Sequence, residues 1–327
     1  MPVMTYREAL NTCLREEMRR DDKVFLLGED IGKFDGAYAV TQGLLREFGP
    51  KRVRDTPIAE EAIAGCAIGA AMLGLRPVVE FMTINFILLA IDQIVNNAAK
   101  MRYMFGGEVK LPMVIRTPAG SGGQLSAQHS QSMEGWFANV PGMKVVAPST
   151  PADARAMLKT AIRGDDPVLF LENLHLYNAR GEVPTEEQLV PFGQARVARE
   201  GRDVTLVAHS RMTPLALQVA EKLASDGVQA EVVDLRSLRP LDRETLVRSV
   251  EKTTRAVVLE EDWPTFGVGA EIAATIQEHA FDFLDAPVLR VGLAEVPMPY
   301  SKVLEQAAIP DADRVIKAVR RTLERRR

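Results

Sequence analysis

Apolar and polar positions alternate in short blocks along this chain of 327 residues. Thr5-Tyr6-Arg7-Glu8 is a capping box, so a helix is predicted from there to about Arg20. Compact apolar runs predict strands at 24–27, 77–81, 111–116, 145–147 and 167–171, with a brief extended lead at 53–55. Helical spacing covers 41–48, 82–104 and 151–162, and in the second of these Phe86, Leu89, Ile94 and Ala98 form one stripe. Beyond residue 191 the alternation resumes, with strands at 204–208, 230–234, 256–259 and 288–291. Helices are predicted at 214–224, 243–250, 269–280 and from 312 to the end. Between the halves, 178–191 is polar, contains proline and follows neither period, and reads as a linker. Strands alternating with helices at this spacing imply α/β architecture with parallel sheets, in a domain at 1–177 and a smaller one at 192–327.

One stretch stands apart. In DTPIAEEAIAGCAIGAAMLGL, residues 55–75, Thr56 is placed as an N-cap and Pro57 suits a first turn. Glu60 and Glu61 follow near the helix start. From Ala62 to Leu75 there is no charge, and Gly65, Gly69 and Gly74 thin the surface further. A helix apolar all round is predicted to be buried, and small residues admit a second backbone or a ligand. A carboxylate thus stands at the mouth of a buried helix. It either offsets the helix dipole or handles a proton in a cleft.

Composition narrows the classes. A formal net charge of −4 argues against nucleic acid as a main partner, and the strongly basic residues cluster only at Arg320, Arg321, Arg325, Arg326 and Arg327. Cys13 and Cys66 have no metal or redox spacing and read as packing residues of a reducing compartment. No apolar stretch reaches membrane-spanning length, and the N-terminal residues lack an apolar signal core. A soluble, cytoplasmic protein is expected.

Candidate chemistry is sparse. Glu29 and Asp30 follow a predicted strand, at the edge where an open parallel sheet faces its ligand, although turns favour acidic residues anyway. Gly267-Val268-Gly269 begins like a dinucleotide fingerprint but lacks its third small residue, and neither a Walker phosphate loop nor G-x-S-x-G occurs. Among the four histidines, His209 and His279 fall in regular elements and suggest structural roles, while His175 follows a strand and lines a crevice or caps a turn. His129 lies in the polar, Gly-rich segment 117–131, where an imidazole is available for proton transfer.

Taken together, DTPIAE, EFMTINF, AIDQIVNNAAK, AQHSQS, PGMKVVAPSTPADA and VPMPY give the chain its family likeness. It resembles the β subunit of the E1 component of 2-oxo acid dehydrogenase complexes over nearly its whole length, and pyruvate dehydrogenase chains most. The resemblance implies the pyrimidine-binding domain of the thiamine-diphosphate fold, followed by a smaller transketolase-like C-terminal α/β domain. It implies that Glu60 hydrogen-bonds N1′ of the cofactor's aminopyrimidine, favouring the imino tautomer that can remove the C2 proton. By the same likeness Phe86 packs on the pyrimidine, and His129 serves proton transfer while a lipoyl group is reductively acylated. A potassium site, largely of backbone carbonyls, falls on Met113, Ala161, Ile162, Gly164 and Asp166, with Gly164 replacing a residue that is often acidic. Asp285 matches an aspartate that helps hold the peripheral binding domain of the E2 acyltransferase, whose lipoyl domain is the acyl acceptor. Three terminal arginines depart from the family's terminal-carboxylate contact.

No Gly-Asp-Gly occurs anywhere in the sequence. Thiamine-diphosphate enzymes use that motif to hold the diphosphate through Mg²⁺. The resemblance therefore implies half an active site, completed by an α subunit in an α2β2 heterotetramer. The Gly/Ala-rich helix suits close subunit packing. Acetoin dehydrogenase E1β chains share these motifs, branched-chain 2-oxo acid dehydrogenase E1β chains often depart from AQHSQS upstream of the histidine, and a subunit that only docks on an E2 core is the non-enzymatic alternative.

Overall fold

Thr5 caps α1 (Tyr6–Arg20) as its sequence predicts. Its hydroxyl accepts from the Glu8 N–H at 3.2 Å, and the Glu8 carboxylate accepts from the Thr5 N–H at 2.7 Å. Two orphan donors are thereby satisfied where β1 (Val3–Thr5) turns into the helix. The computed structural model describes residues 1–324. Arg325, Arg326 and Arg327, and so the terminal arginines noted above, lie outside the described residues. By compactness the chain forms two units, one of Met1–Ala119 and Trp136–Phe192, the other of Gly120–Gly135 and the residues from Gly193 onward. The Gly-rich segment thus belongs with the second half of the chain.

In the first unit β2 (Val24–Gly28), β3 (Val53–Asp55), β4 (Arg76–Glu80), β5 (Val114–Ala119), β6 (Lys144–Val146) and β7 (Val168–Asn173) lie in the order β6-β7-β5-β4-β2-β3. Every pair is parallel. β2, β5 and β7 are buried along their whole length, as strands covered on both faces are. The helices are α2 (Leu44–Phe48), α3 (Glu60–Met72), α4 (Ile84–Ile87), α5 (Ala99–Met104), α6 (Glu134–Ala138), which spans the division between the units, and α7 (Pro151–Arg163). Tyr6, Leu10, Cys13, Leu14 and Met18 of α1 enter a core with Val24, Leu26, Val78, Met157 and Phe170. β8 (Arg180–Glu182) pairs antiparallel with β1, so the segment 178–191 carries a strand that its polar sequence did not announce.

Arg116 sits midway along β5 and is 1% exposed. Glu80 at the end of β4 and Glu172 on β7 each approach it at 2.7 Å, and the Tyr177 hydroxyl donates to Glu172 at 2.7 Å. Burial works against the guanidinium's charge, but Glu172 and Glu80 outweigh it and raise its pKa above the ordinary value.

Three sequence expectations give way to tertiary contacts. α3 begins at Glu60 rather than at Thr56 and Pro57. The Thr56 N–H donates to the Gly28 carbonyl at 3.0 Å, so the chain is still leaving the sheet there, and Ala59 becomes the N-cap without a side-chain bond. Nor is α3 buried all round. Ile63, Ala64, Ala67, Ile68 and Ala71 face the core, while Cys66, Met72 and Leu73 point outward, Leu73 at 87% exposure. Cys66 is therefore no core residue in this chain, unlike Cys13. The helix predicted over 82–104 is broken. A 3₁₀ turn at Leu88–Ala90 and a π-helical stretch at Gln93–Ala98 separate α4 from α5. The changing pitch rotates the buried stripe onto Ile84, Ile87, Ile94 and Ala98, leaving Phe86 half-buried and Leu89 exposed.

The second unit holds β9 (Arg196–Arg199), β10 (Val204–Ala208), β11 (Ala230–Asp234), β12 (Ser237–Arg239), β13 (Ala256–Leu259) and β14 (Leu289–Val291). Five of them form a sheet in the order β14-β13-β10-β11-β9, parallel except where β9 runs antiparallel to β11. Its helices are α8 (Met212–Ser225), α9 (Arg243–Thr253), α10 (Val268–Ala280), α11 (Lys302–Ala308) and α12 (Ala312–Glu324). Leu206, Val219, Val232, Val257, Val315 and Val319 build its core. No helix among the described residues is long and apolar enough to cross a membrane.

Replacing Arg116 by Met removes the only cation bonded to Glu80 and Glu172 among the described residues and leaves both carboxylates buried. Arg116→Met is expected to lower stability by about 3–5 kcal/mol, read as a drop in the urea midpoint. An unchanged midpoint would contradict this account of the sheet.

Candidate active site

The strand order creates a place for a ligand. From β2 the chain turns to β3 on one side, then crosses back to β4 on the other. Ligands of open parallel sheets bind where such connections part, outside the carboxyl ends of the strands. Glu29 follows β2 there, Glu80 ends β4, and Glu60 opens α3, the helix after β3. A Cβ on Gly28 would lie 2.6 Å from the Glu80 carbonyl, so only glycine lets β2 end this tightly against β4. Asp55 accepts from the N–H groups of Gly32 and Lys33 at 2.6 and 3.0 Å and ties the loop after β2 to the end of β3.

Glu60 is 4% exposed, and its carboxylate accepts no hydrogen bond among the described residues. An unpaired buried carboxylate is costly to hold. Burial, then the charge of Glu60, then that of Asp30 push the Glu29 carboxyl above its ordinary range. The Glu29 carboxyl therefore holds its proton to a higher pH than a lone glutamate does. Asn85 adds a second orphan. Its Nδ2 donates to Thr83 Oγ1 at 2.6 Å, but its buried Oδ1 has no partner. Half-buried Phe86 is the next residue on α4. His129 closes a 3₁₀ turn, Ala127–His129, and is exposed, in the second unit, while Glu60 and Phe86 belong to the first.

Residues 3–179 match the family model for the transketolase pyrimidine binding domain, and residues 193–315 that for the transketolase C-terminal domain. The chain is 51% identical to the pyruvate dehydrogenase E1 component subunit beta of Rickettsia conorii, over 97% of this chain and 98% of that one. It is 50% identical to the mitochondrial pyruvate dehydrogenase E1 component subunit beta-2 of Oryza sativa subsp. japonica, over 98% and 87%. The chain belongs to the pyruvate dehydrogenase E1 beta-subunit family. A solved structure described as a split gene transketolase, inactive beta4 tetramer, shares the fold with a TM-score of 0.82 over 99% of both chains, at 28% identity.

The oxygens proposed for potassium in this E1 beta chain already have donors. Arg76 Nη1 donates to the Ile162 and Gly164 carbonyls at 2.9 and 2.7 Å. The Met113 carbonyl accepts from the Val168 N–H at 3.0 Å, and that of Ala161 from the Gly164 N–H at 3.2 Å. Asp166 is paired with Arg102 and with Lys144, and Asp165 with Arg76 and Lys110. Arg76 thus bonds two of the five, Arg102 and Lys144 hold Asp166, and backbone N–H groups bond Met113 and Ala161. This donor set fits a potassium ion poorly, because the positive charge is supplied by Arg76. Asp285 is also engaged. It accepts from Thr254 Oγ1 at 2.8 Å and pairs with Arg255 at 3.2 Å, fixing the turn after α9 where Thr254 takes a left-handed backbone.

The sequence reading missed a buried acid cluster in the second unit. His209, at the end of β10, places Nε2 3.0 Å from Glu134 Oε1, and both are buried. Burial opposes the imidazolium, but the bond to Glu134 and its charge raise the His209 pKa above its usual 6.5. Burial pushes Glu260 up to about 7 despite the Gly269 N–H bonded to it at 2.7 Å. Burial and Glu134 push Asp262 up to about 8. A Cβ on Gly267 or Gly269 would meet the Glu260 carboxylate at 2.5 or 2.4 Å. The Gly-Val-Gly that begins like a dinucleotide fingerprint is the seat of a carboxylate instead. That Gly-x-Gly was the available signal, but sequence spacing could not say which acid it faces.

Glu260 and Asp262 keep protons in the folded unit that the unfolded chain releases at ordinary carboxylate values, and His209 keeps one above 6.5. Stability is therefore lost as pH rises, from 4.5 to about 7 for Glu260, from 3.8 to about 8 for Asp262, and above 6.5 for His209. The melting temperature should fall between about pH 5.5 and about pH 8.5, with a shallower slope in Glu260→Gln, which mimics the protonated acid. A flat or rising profile in differential scanning calorimetry would refute these proton affinities.

Proposed function

We propose that this chain is the beta subunit of a thiamine-diphosphate-dependent pyruvate dehydrogenase E1, supplying the pyrimidine end of an active site completed by an alpha subunit. The carrying observation is Glu60, a buried carboxylate with no hydrogen bond among the described residues, beside a Glu29 whose proton affinity it raises. These residues suit an aminopyrimidine. Glu60 would share its proton with N1′, Glu29 would keep that proton in supply, and Phe86 would lie on the ring. When bound, thiamine diphosphate supplies the carbanion chemistry that decarboxylation of a 2-oxo acid requires. The protein's part is to orient the group and hold the N1′ proton out of water. His129 would handle a proton while the acyl group passes to a lipoyl arm of E2.

The diphosphate and Mg²⁺ are assigned to the alpha subunit because the chain lacks Gly-Asp-Gly. An α2β2 heterotetramer gives the outward face of α3 a partner. Met72 and Leu73 are exposed there, with Leu88 and Leu89 on the turn that packs against α3. Asp285 is proposed for E2 through its half-exposed carboxylate, beyond its bonds to Thr254 and Arg255. The unpaired cysteines favour a reducing compartment, the cytoplasm. Domain limits of 1–177 and 192–327 are proposed along the sequence, with 178–191 as the connection and residues 120–135 compact with the second unit.

Assembled with its alpha chain, Glu60→Ala should lose at least about 100-fold in pyruvate decarboxylation while subunit association on a sizing column is unchanged. The beta chain alone should be nearly inactive. Full turnover by Glu60→Ala would overturn the assignment of Glu60, and cofactor binding by beta alone in calorimetry would overturn the shared site. A structural potassium ion would have to share the Ile162 and Gly164 carbonyls with Arg76. Exchanging K⁺ for Na⁺ should accordingly move the melting temperature by less than about 1 °C, whereas a rise of several degrees in K⁺ alone would restore that ion to the site.

A further inference from the structure

The segment from Gly120 to Gly135 holds backbone that ordinary residues avoid. Ser126 has φ 69° and ψ −172°, a region essentially reserved for glycine, and Gln124 is left-handed at φ 58°. Such residues persist only where their surroundings over-determine them, and they cluster where geometry serves function. His129 lies three residues after Ser126, and its N–H donates to the Ser126 carbonyl at 3.2 Å. The strained residue and the candidate proton carrier therefore share one turn.

Three side chains distant in sequence fix this segment within its own unit. Glu305 of α11 is buried, and its Oε1 accepts from the Gln124 N–H at 2.8 Å. Glu261, buried beyond β13, accepts through Oε1 from the Ser121 N–H at 2.8 Å. Arg211 donates to the Ser121 carbonyl at 2.9 Å and to the same Glu261 oxygen at 2.8 Å, closing a triangle. The far end of the segment is held by the Glu134–His209 pair. Carboxylates accepting from backbone N–H groups make charge-assisted bonds, stronger than neutral ones, and both acceptors here are shielded from water. A strained turn with two buried acids on its approach is held in one register.

We propose that Glu305, Glu261 and Arg211 are positioning residues that present His129 for acyl transfer to the lipoyl arm. This rests on the reading of His129 given above. A merely structural clamp would lower stability and leave the balance between the two half-reactions untouched. A positioning clamp lowers transfer to the lipoyl domain more than decarboxylation itself, because only that transfer is asked of His129. Misplacing a reacting group by a fraction of its contact distance is enough for a large loss of rate.

The test uses the assembled alpha–beta enzyme with Glu305→Ala and Glu305→Gln. Pyruvate decarboxylation is followed with an artificial electron-accepting dye, and reductive acylation with a free lipoyl domain. Deuterium uptake by residues 120–135 is followed alongside. Glu305→Ala should slow lipoyl-domain acylation by about ten-fold, with the dye-coupled rate within about two-fold of the parent and faster exchange in the segment. Glu305→Gln should recover most of the lost transfer, since its amide oxygen still accepts from the Gln124 N–H. Equal loss of both rates, or no change in either transfer or exchange, would overturn the proposal. His129→Ala separates the two ideas. If it leaves acylation intact, the reading of His129 fails. Exchange then reads only the hold on the segment, with unchanged uptake in Glu305→Ala overturning the clamp as well, whereas slowed acylation in His129→Ala with none in Glu305→Ala overturns the positioning proposal alone.

Discussion

The guanidinium of Arg116 is the interaction on which the first unit's active edge depends. Parallel strands buried on both faces bring their carboxyl ends together, and this sequence loads those ends with acids. Without a cation, Glu80 and Glu172 would repel each other in a medium too apolar to ionise both. Arg116 bonds each of them at 2.7 Å and is itself shielded from water. Its charge is fully committed there. Glu29 and Glu60, on neighbouring elements, are left without a bonded cation among the described residues, and burial and the charge of Glu60 raise the proton affinity of Glu29.

The second unit uses acids differently. Several of its carboxylates accept backbone N–H groups or face an imidazole, some of them within or against the sixteen residues that come from the middle of the chain. Glu260 sits against the start of α10, where two glycines let the helix come within bonding distance. Glu261 and Glu305 reach the backbone of the segment itself. Burial pushes Glu260 up to about 7 and, with the charge of Glu134, Asp262 up to about 8.

α3 ties fold to assembly. Its small residues pack one face closely on the sheet and its neighbours, and its other face carries apolar side chains with nothing described to cover them. Under the proposed function, that open apolar face is where an alpha subunit would pack.

Local sequence determined much of this. The capping box at Thr5 and Glu8 and the proline-led α7 were legible because their stabilising contacts lie within a few residues, and the apolar runs of β2, β10, β11 and β13 because strands covered on both faces read as continuous hydrophobic runs. The motif set around Glu60, Phe86 and His129 was legible as local strings of residue types that carry the family likeness, while the roles of those residues rest on the proposed function. The tertiary structure decided what depends on neighbours far along the chain. Thr56 does not cap α3 because its N–H is taken by Gly28 of an adjacent strand. β8, β9 and α11 are short and carry weak periodicity, and they exist through pairing and packing rather than propensity. The partnership of His209 with Glu134 spans 75 residues, and that of Glu305 with Gln124 spans 181. No pattern of spacing encodes such pairs, because a hydrogen bond depends on where the folded backbone carries its donor and acceptor, and only packing of the whole unit sets that.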